Sequence, residues 1–143
     1  MANYYGLTRS NYFSVKDEAA LRDIIDRLVV AECGEKFLFD EIVDGEKKWA
    51  FSAYGTLSGF PTAQKDEDDE YDLDSFLYAL KDILSDGDAI LITEIGNEKL
   101  RYFCAHTILI TKDMIEGDDF FSHVLEKARK LLGDDGFTTR MDY

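Results

Sequence analysis

Carboxylates dominate the chemistry this chain could carry. Asp66, Glu67, Asp68, Asp69, Glu70, Asp72 and Asp74 place seven acids within nine residues. Acids this dense can hold a hard cation, keep a loop solvated, or face a basic surface. Asp66, Asp68 and Glu70 alternate as ligands in a calcium loop do, but the sixth-position glycine and closing glutamate of an EF-hand loop are missing, so no metal is assigned. Solvation is the ordinary role of a charge block. Closely spaced carboxylates on a folded scaffold also imitate a nucleic-acid backbone, which carries about one charge per ~1.7 Å of duplex axis, and can occupy a basic groove in its place. All seven are therefore candidate partner-binding residues, and the expected partner is the basic surface of a nucleic-acid-binding protein. Asp86, Asp88, Asp118 and Asp119 extend the same acidic surface.

Cys104 and His106 alternate, so on a strand they share a face, as a thiol and its base would. The sequence identifies neither a third group to orient the imidazole nor an oxyanion site. No catalytic residue is assigned, and a non-enzymatic protein is expected. Cys33 and Cys104 are the only cysteines, without a CxxC pair or a second His or Cys at ligand spacing. Neither a disulfide framework nor a structural zinc is expected, and no cofactor is implied. His123 reads as a helix residue beside an apolar stripe. Arg9, Arg101 and Arg140 are expected to pair with nearby acids, and Tyr4, Tyr5, Tyr12, Tyr54 and Tyr71 are candidates for an aromatic contact surface.

The net charge of -14 is unevenly spread. Residues 1–65 hold ten acids and eight bases, whereas residues 66–143 hold twenty acids and eight bases. Such a field repels nucleic acid and anionic lipid, so direct binding to either is not expected. With 143 residues, 45% hydrophobic content and one proline, the chain has the size and composition of a single domain spanning 1–143. The N-terminus lacks a basic region followed by an apolar run, and no apolar stretch reaches membrane-spanning length. A cytoplasmic protein is expected.

These groups must be positioned by elements legible in the pattern. Phe13-Ser14-Val15 suits a short entering strand. Asp17 is placed to cap a helix whose face is Leu21, Ile24, Ile25, Leu28 and Val29, ending at Gly34. The period then changes to two on either side of Asp44-Gly45, the dipeptide of a tight two-residue hairpin. A two-residue turn puts Leu38, Asp40 and Ile42 on one face with Phe51, Trp49 and Lys47, and Phe37, Phe39 and Val43 on the other; both faces carry aromatics, and either could be buried. Residues 55–71 read as a surface loop. Asp72 or Asp74 caps a second helix with Leu73, Phe76, Leu77, Leu80 and Ile83 or Leu84 on its apolar face. Ala89 to Ile95 reads as a continuous apolar strand, turned back by Gly96 to Lys99 into a strand from Leu100 to about Thr111. After Asp118-Asp119 a third helix carries Phe121, Val124, Leu125, Ala128, Leu131 and Leu132, with Gly133 as its stop. The predicted class is α+β: a mainly antiparallel sheet of about five strands with three helices in the order β-α-β-β-α-β-β-α, one sheet face left uncovered.

Three segments resemble a known group: residues 3–13, residues 96–102 and residues 138–143. The first is Asn3-Tyr4-Tyr5-Gly6-Leu7-Thr8-Arg9-Ser10-Asn11-Tyr12-Phe13. The others are Gly96-Asn97-Glu98-Lys99-Leu100-Arg101-Tyr102 and Thr138-Thr139-Arg140-Met141-Asp142-Tyr143. Together they resemble small acidic proteins of conjugative and integrative elements in Gram-positive gut bacteria. The resemblance transfers no catalytic residues. It implies the company of anti-restriction and anti-CRISPR factors that imitate DNA. The expectation is an acidic binding protein that inhibits a host DNA-binding defence protein. The alternative is a mobile-element interaction module acting through the uncovered sheet face or as a homodimer.

Overall fold

A computed structural model of the protein describes residues 4–62, 70–100 and 102–140. In chain order the elements are β1 (Tyr5–Ser10), α1 (Glu18–Arg27), β2 (Val29–Val30), a short turn of tighter helix (Ala31–Cys33), β3 (Lys36–Val43), β4 (Glu46–Tyr54), β5 (Leu57–Pro61), β6 (Tyr71–Asp72), α2 (Leu73–Ile83), β7 (Ile90–Glu98), β8 (Tyr102–Ile110), β9 (Ile115–Asp119) and α3 (Phe120–Leu132). The class is α+β with three helices, as expected. Six strands form one antiparallel sheet in the order β3-β4-β1-β7-β8-β9, and β2, β5 and β6 form a small second sheet.

The β3–β4 hairpin turns at Asp44 and Gly45, both at positive φ (52° and 80°), which is what its two-residue loop requires. Trp49, Phe51 and Ala53 of β4 face inward, which settles the choice left by the aromatics on both faces. They pack in one cluster with Ile90, Ile92 and Ile110 of the sheet, Leu21, Ile24 and Ile25 of α1, and Phe76, Leu77 and Leu80 of α2. Phe13, Phe51, Phe76 and Phe60 make a chain of edge-to-face contacts with centroids 5.8–6.2 Å apart, the arrangement that ring quadrupoles favour. Asp17 caps α1 by accepting from the Ala20 N–H, and Asp72 caps α2 by accepting from the Ser75 N–H.

Several expectations are corrected. The first strand is Tyr5–Ser10; Phe13 and Val15 make only isolated bridges, to Trp49 and Leu84. Helix α1 stops at Arg27, seven residues before Gly34, because β-branched Val29 and Val30 leave the helix to pair with Gly59 and Leu57. The Lys36 ammonium covers the end of α1 by donating to the Asp26 and Leu28 carbonyls. Strands β5 and β6 lie within the stretch read as a loop. The Asp72 carbonyl and Leu73 amide come so close to Gly59 that a Cβ there would sit 2.4–2.5 Å from them, a glycine at φ 114° permitting the approach. The β7–β8 hairpin turns at Lys99 and Leu100 rather than from Gly96, and β9 is an added edge strand. Strand β7 is not apolar on both sides: Ile90, Ile92 and Glu94 face inward, while Leu91, Thr93 and Ile95 are exposed.

Helix α3 begins after Asp119, which caps it, and has its expected stop, in left-handed conformation, at Gly133, but none of its residues is buried. Phe121, Leu125 and Ala128 are half-buried, while Val124 and Leu132 are exposed and Leu131 is 84% exposed. The interior is already filled by α1 and α2, and α3 lies mainly against β8 and β9 at the sheet edge.

Candidate functional site

Two regions hold the residues that could act on something else. The first is acidic. Asp66, Glu67, Asp68 and Asp69 lie outside the described residues. Glu70, Asp72 and Asp74 are exposed at the start of α2. Asp72 is already engaged: its carboxylate accepts from the Ser75 hydroxyl at 2.6 Å and from the Ser75 amide at 3.1 Å, and these bonds hold it below the usual carboxylate range. The extension of the surface is also partly occupied. Asp86 pairs with Lys16 and Lys112 at 3.4 and 3.9 Å. Asp88 lies 3.9 Å from Lys48 and accepts from the Ser14 amide. Asp119 caps α3, and Asp118 lies 3.8 Å from His123. By contrast Glu70, Asp74, Glu116, Asp134 and Asp135 are exposed and have no ion-pair partner among the described residues. Arg9, expected beside an acid, instead lies over the Phe39 ring at 5.1 Å.

The second region is a polar cluster around a buried carboxylate, with its other members half-buried. The β7–β8 register sets Glu94 directly opposite His106, and strand alternation puts Cys104 on the same face. The Cys104 thiol donates to Glu94 Oε2 at 3.5 Å, and its sulfur is 3.1 Å from His106 Nδ1. Glu94 is only 6% exposed. Its Oε2 accepts from the Tyr4 hydroxyl at 2.7 Å and from the Thr56 hydroxyl at 3.3 Å. Burial, then the Glu94 carboxylate, push the Tyr4 hydroxyl well above its ordinary value. Burial also raises the Cys104 thiol, with Glu94 acting in the same direction.

Tyr4 reaches this position because two strands lack side chains beneath it. A Cβ on Gly96 would meet the Tyr4 hydroxyl oxygen at 2.3 Å, and one on Gly6 would meet its ring at 2.7 Å. Beside the cluster lies a cavity of about 750 Å³ whose walls include Tyr4, Leu7, Tyr54, Ile95, Phe103 and Cys104.

The Cys104–His106 pair suspected from alternation is therefore in contact, but the third group is on the thiol rather than on the imidazole. A thiol raised by burial and a carboxylate is not an activated nucleophile. Glu94 is hard to single out in the sequence because the run from Ala89 to Ile95 reads as a continuous apolar strand. Its signal was there: the one charged residue in that run, in step with Ile90 and Ile92.

No family model, curated protein or solved structure matches this chain.

Proposed function

We propose that this is a non-enzymatic acidic binding protein that acts in the cytoplasm on the basic surface of a nucleic-acid-binding protein, as a nucleic-acid mimic. The observation that carries the reading is the charge distribution: twenty acids against eight bases in residues 66–143. Exposed acids without ion-pair partners, Glu70, Asp74, Glu116, Asp134 and Asp135 among the described residues, support it. A basic groove built for phosphates attracts such a surface over long range and holds it by ionic contacts. The resemblance to mobile-element proteins suggests that the target is a host defence enzyme, of restriction or CRISPR type.

The test is DNA cleavage by a panel of restriction and CRISPR effectors, with the wild-type protein and with Asp66, Asp68, Asp69 and Asp72 changed to Asn. Asparagine at position 72 keeps the helix cap, so the variant changes charge while sparing the fold. Inhibition by the wild type and its loss in the variant is the expected result. Equal inhibition by both would place the activity elsewhere.

A second reading rests on a separate observation. On the face of the main sheet away from α1 and α2, Tyr54, Leu7 and Ile95 are neighbours on β4, β1 and β7, all exposed, with exposed Tyr5 and Phe103 beside them. A continuous apolar patch on a charged protein favours contact with another surface, here a second copy of the chain. Light scattering over a range of concentrations tests it: Ile95→Asp is expected to abolish a dimer, and a wild type monomeric throughout contradicts it.

A further inference from the structure

We propose that Glu94, Cys104 and His106 form a binding site for a thiophilic divalent cation of the zinc type, with a fourth position left open for a further ligand. The geometry of the three side chains carries the proposal. Their ligand atoms all lie within 4.8 Å of one another. Zinc bonds of about 2.3 Å to sulfur and about 2.0–2.1 Å to nitrogen or oxygen, at tetrahedral angles, separate ligand atoms by roughly 3.5 Å. The observed separations from Cys104 Sγ are 3.1 Å to the imidazole nitrogen and 3.5 Å to the carboxylate oxygen. The sulfur–nitrogen pair would open by a few tenths of an ångström to seat the ion, the sulfur–oxygen pair is already at that spacing, and the carboxylate and imidazole lie within 4.8 Å of each other.

The environment points the same way. Buried carboxylates are normally paired with a cation or bound to a metal. Glu94 is buried, yet no lysine or arginine among the described residues lies within ion-pair distance of it. Hydroxyls of Tyr4 and Thr56 orient its Oε2, as outer partners of metal ligands do. The ligands stand on paired strands rather than on a loop, so their spacing is held by the sheet. A mixed sulfur, nitrogen and oxygen set selects zinc-like ions over calcium or magnesium, which take oxygen alone. Three protein ligands, rather than four, leave a position open. On binding, the sulfur–metal bond replaces the Cys104 S–H bond and the proton passes to solvent.

Cobalt(II) is the probe, added to the full chain kept reduced by a phosphine. The expected spectrum has thiolate-to-cobalt charge transfer and the intense visible bands of four-coordinate cobalt, removed by added zinc. Cys104→Ser should abolish the charge transfer, and Glu94→Gln and His106→Ala the four-coordinate bands, each in protein shown to be folded by circular dichroism. Tyr4→Phe, a positioning change, should weaken cobalt binding about 10- to 100-fold without altering the bands. Cys33→Ala should change nothing, since Cys33 is exposed and outside the cluster. The proposal is overturned by a weak six-coordinate spectrum alone, the mark of cobalt on surface carboxylates. Charge transfer that persists in Cys104→Ser, or follows Cys33, overturns it equally.

Discussion

Asp72 shows how one side chain divides between folding and display. Its bonds to Ser75 lower its folded-state pKa, while in the unfolded chain it titrates near the ordinary value of about 3.9. Stability from its ionisation is thus fully present above the unfolded value and is lost as pH falls through the folded one. Asp72→Asn keeps a capping oxygen without the charge, so wild type should lead the variant in urea midpoint at about pH 6, and the lead should shrink towards about pH 3. A lead independent of pH would mean that the ionised carboxylate contributes nothing beyond the cap. At this scale the sequence was informative where chemistry is local. The cap at Asp17 follows from residue type and position beside an apolar period, and the second cap is narrowed to Asp72 or Asp74, of which the fold uses Asp72. Glu94 does not, because its meeting with Cys104, His106 and Tyr4 depends on strand register and on two glycines that admit the tyrosine ring.

Among the elements, α2 and α3 have the same amphipathic pattern and opposite fates. Phe76, Leu77 and Leu80 of α2 are buried, whereas α3 only half-buries Phe121, Leu125 and Ala128. Phe76→Ala should therefore cost about 3–5 kcal/mol, and Leu131→Ser should stay within about 0.5 kcal/mol, both read from denaturant melts. A large loss from Leu131→Ser would show that α3 packs against the domain more tightly than its exposure allows. The contrast explains what periodicity can and cannot convey. The 3.6-residue period at Leu73–Ile83 and Phe120–Leu132 reports that a helix has an apolar face; it does not report whether another element fills the same core first. The same limit hid β5, β6 and β9. These short strands have no alternation long enough to be recognised, and they exist because a neighbouring strand offers them a pairing edge.

At the scale of the whole molecule, one sheet face is closed by α1 and α2, the opposite face exposes apolar side chains, and the acidic excess is concentrated in the second half of the chain. The charge asymmetry and the α+β class were legible at once, since both depend on composition and element order. The cavity was not, since its walls come from residues between Tyr4 and Ala105. If acidity is the means of binding, affinity must depend steeply on ionic strength, because exposed charge pairs are screened and a nucleic-acid groove is matched to many charges. The most direct measurement is displacement of a labelled DNA duplex from a restriction or CRISPR effector, by wild type and by the variant with Asn at positions 66, 68, 69 and 72. Free effector should also be titrated with each protein from about 50 to 200 mM salt. Wild type is expected to displace the duplex, with affinity for the effector falling about 100-fold or more over that range, and the variant to bind more weakly with a shallower slope. Displacement that ignores salt and survives neutralisation of those four carboxylates would contradict the account.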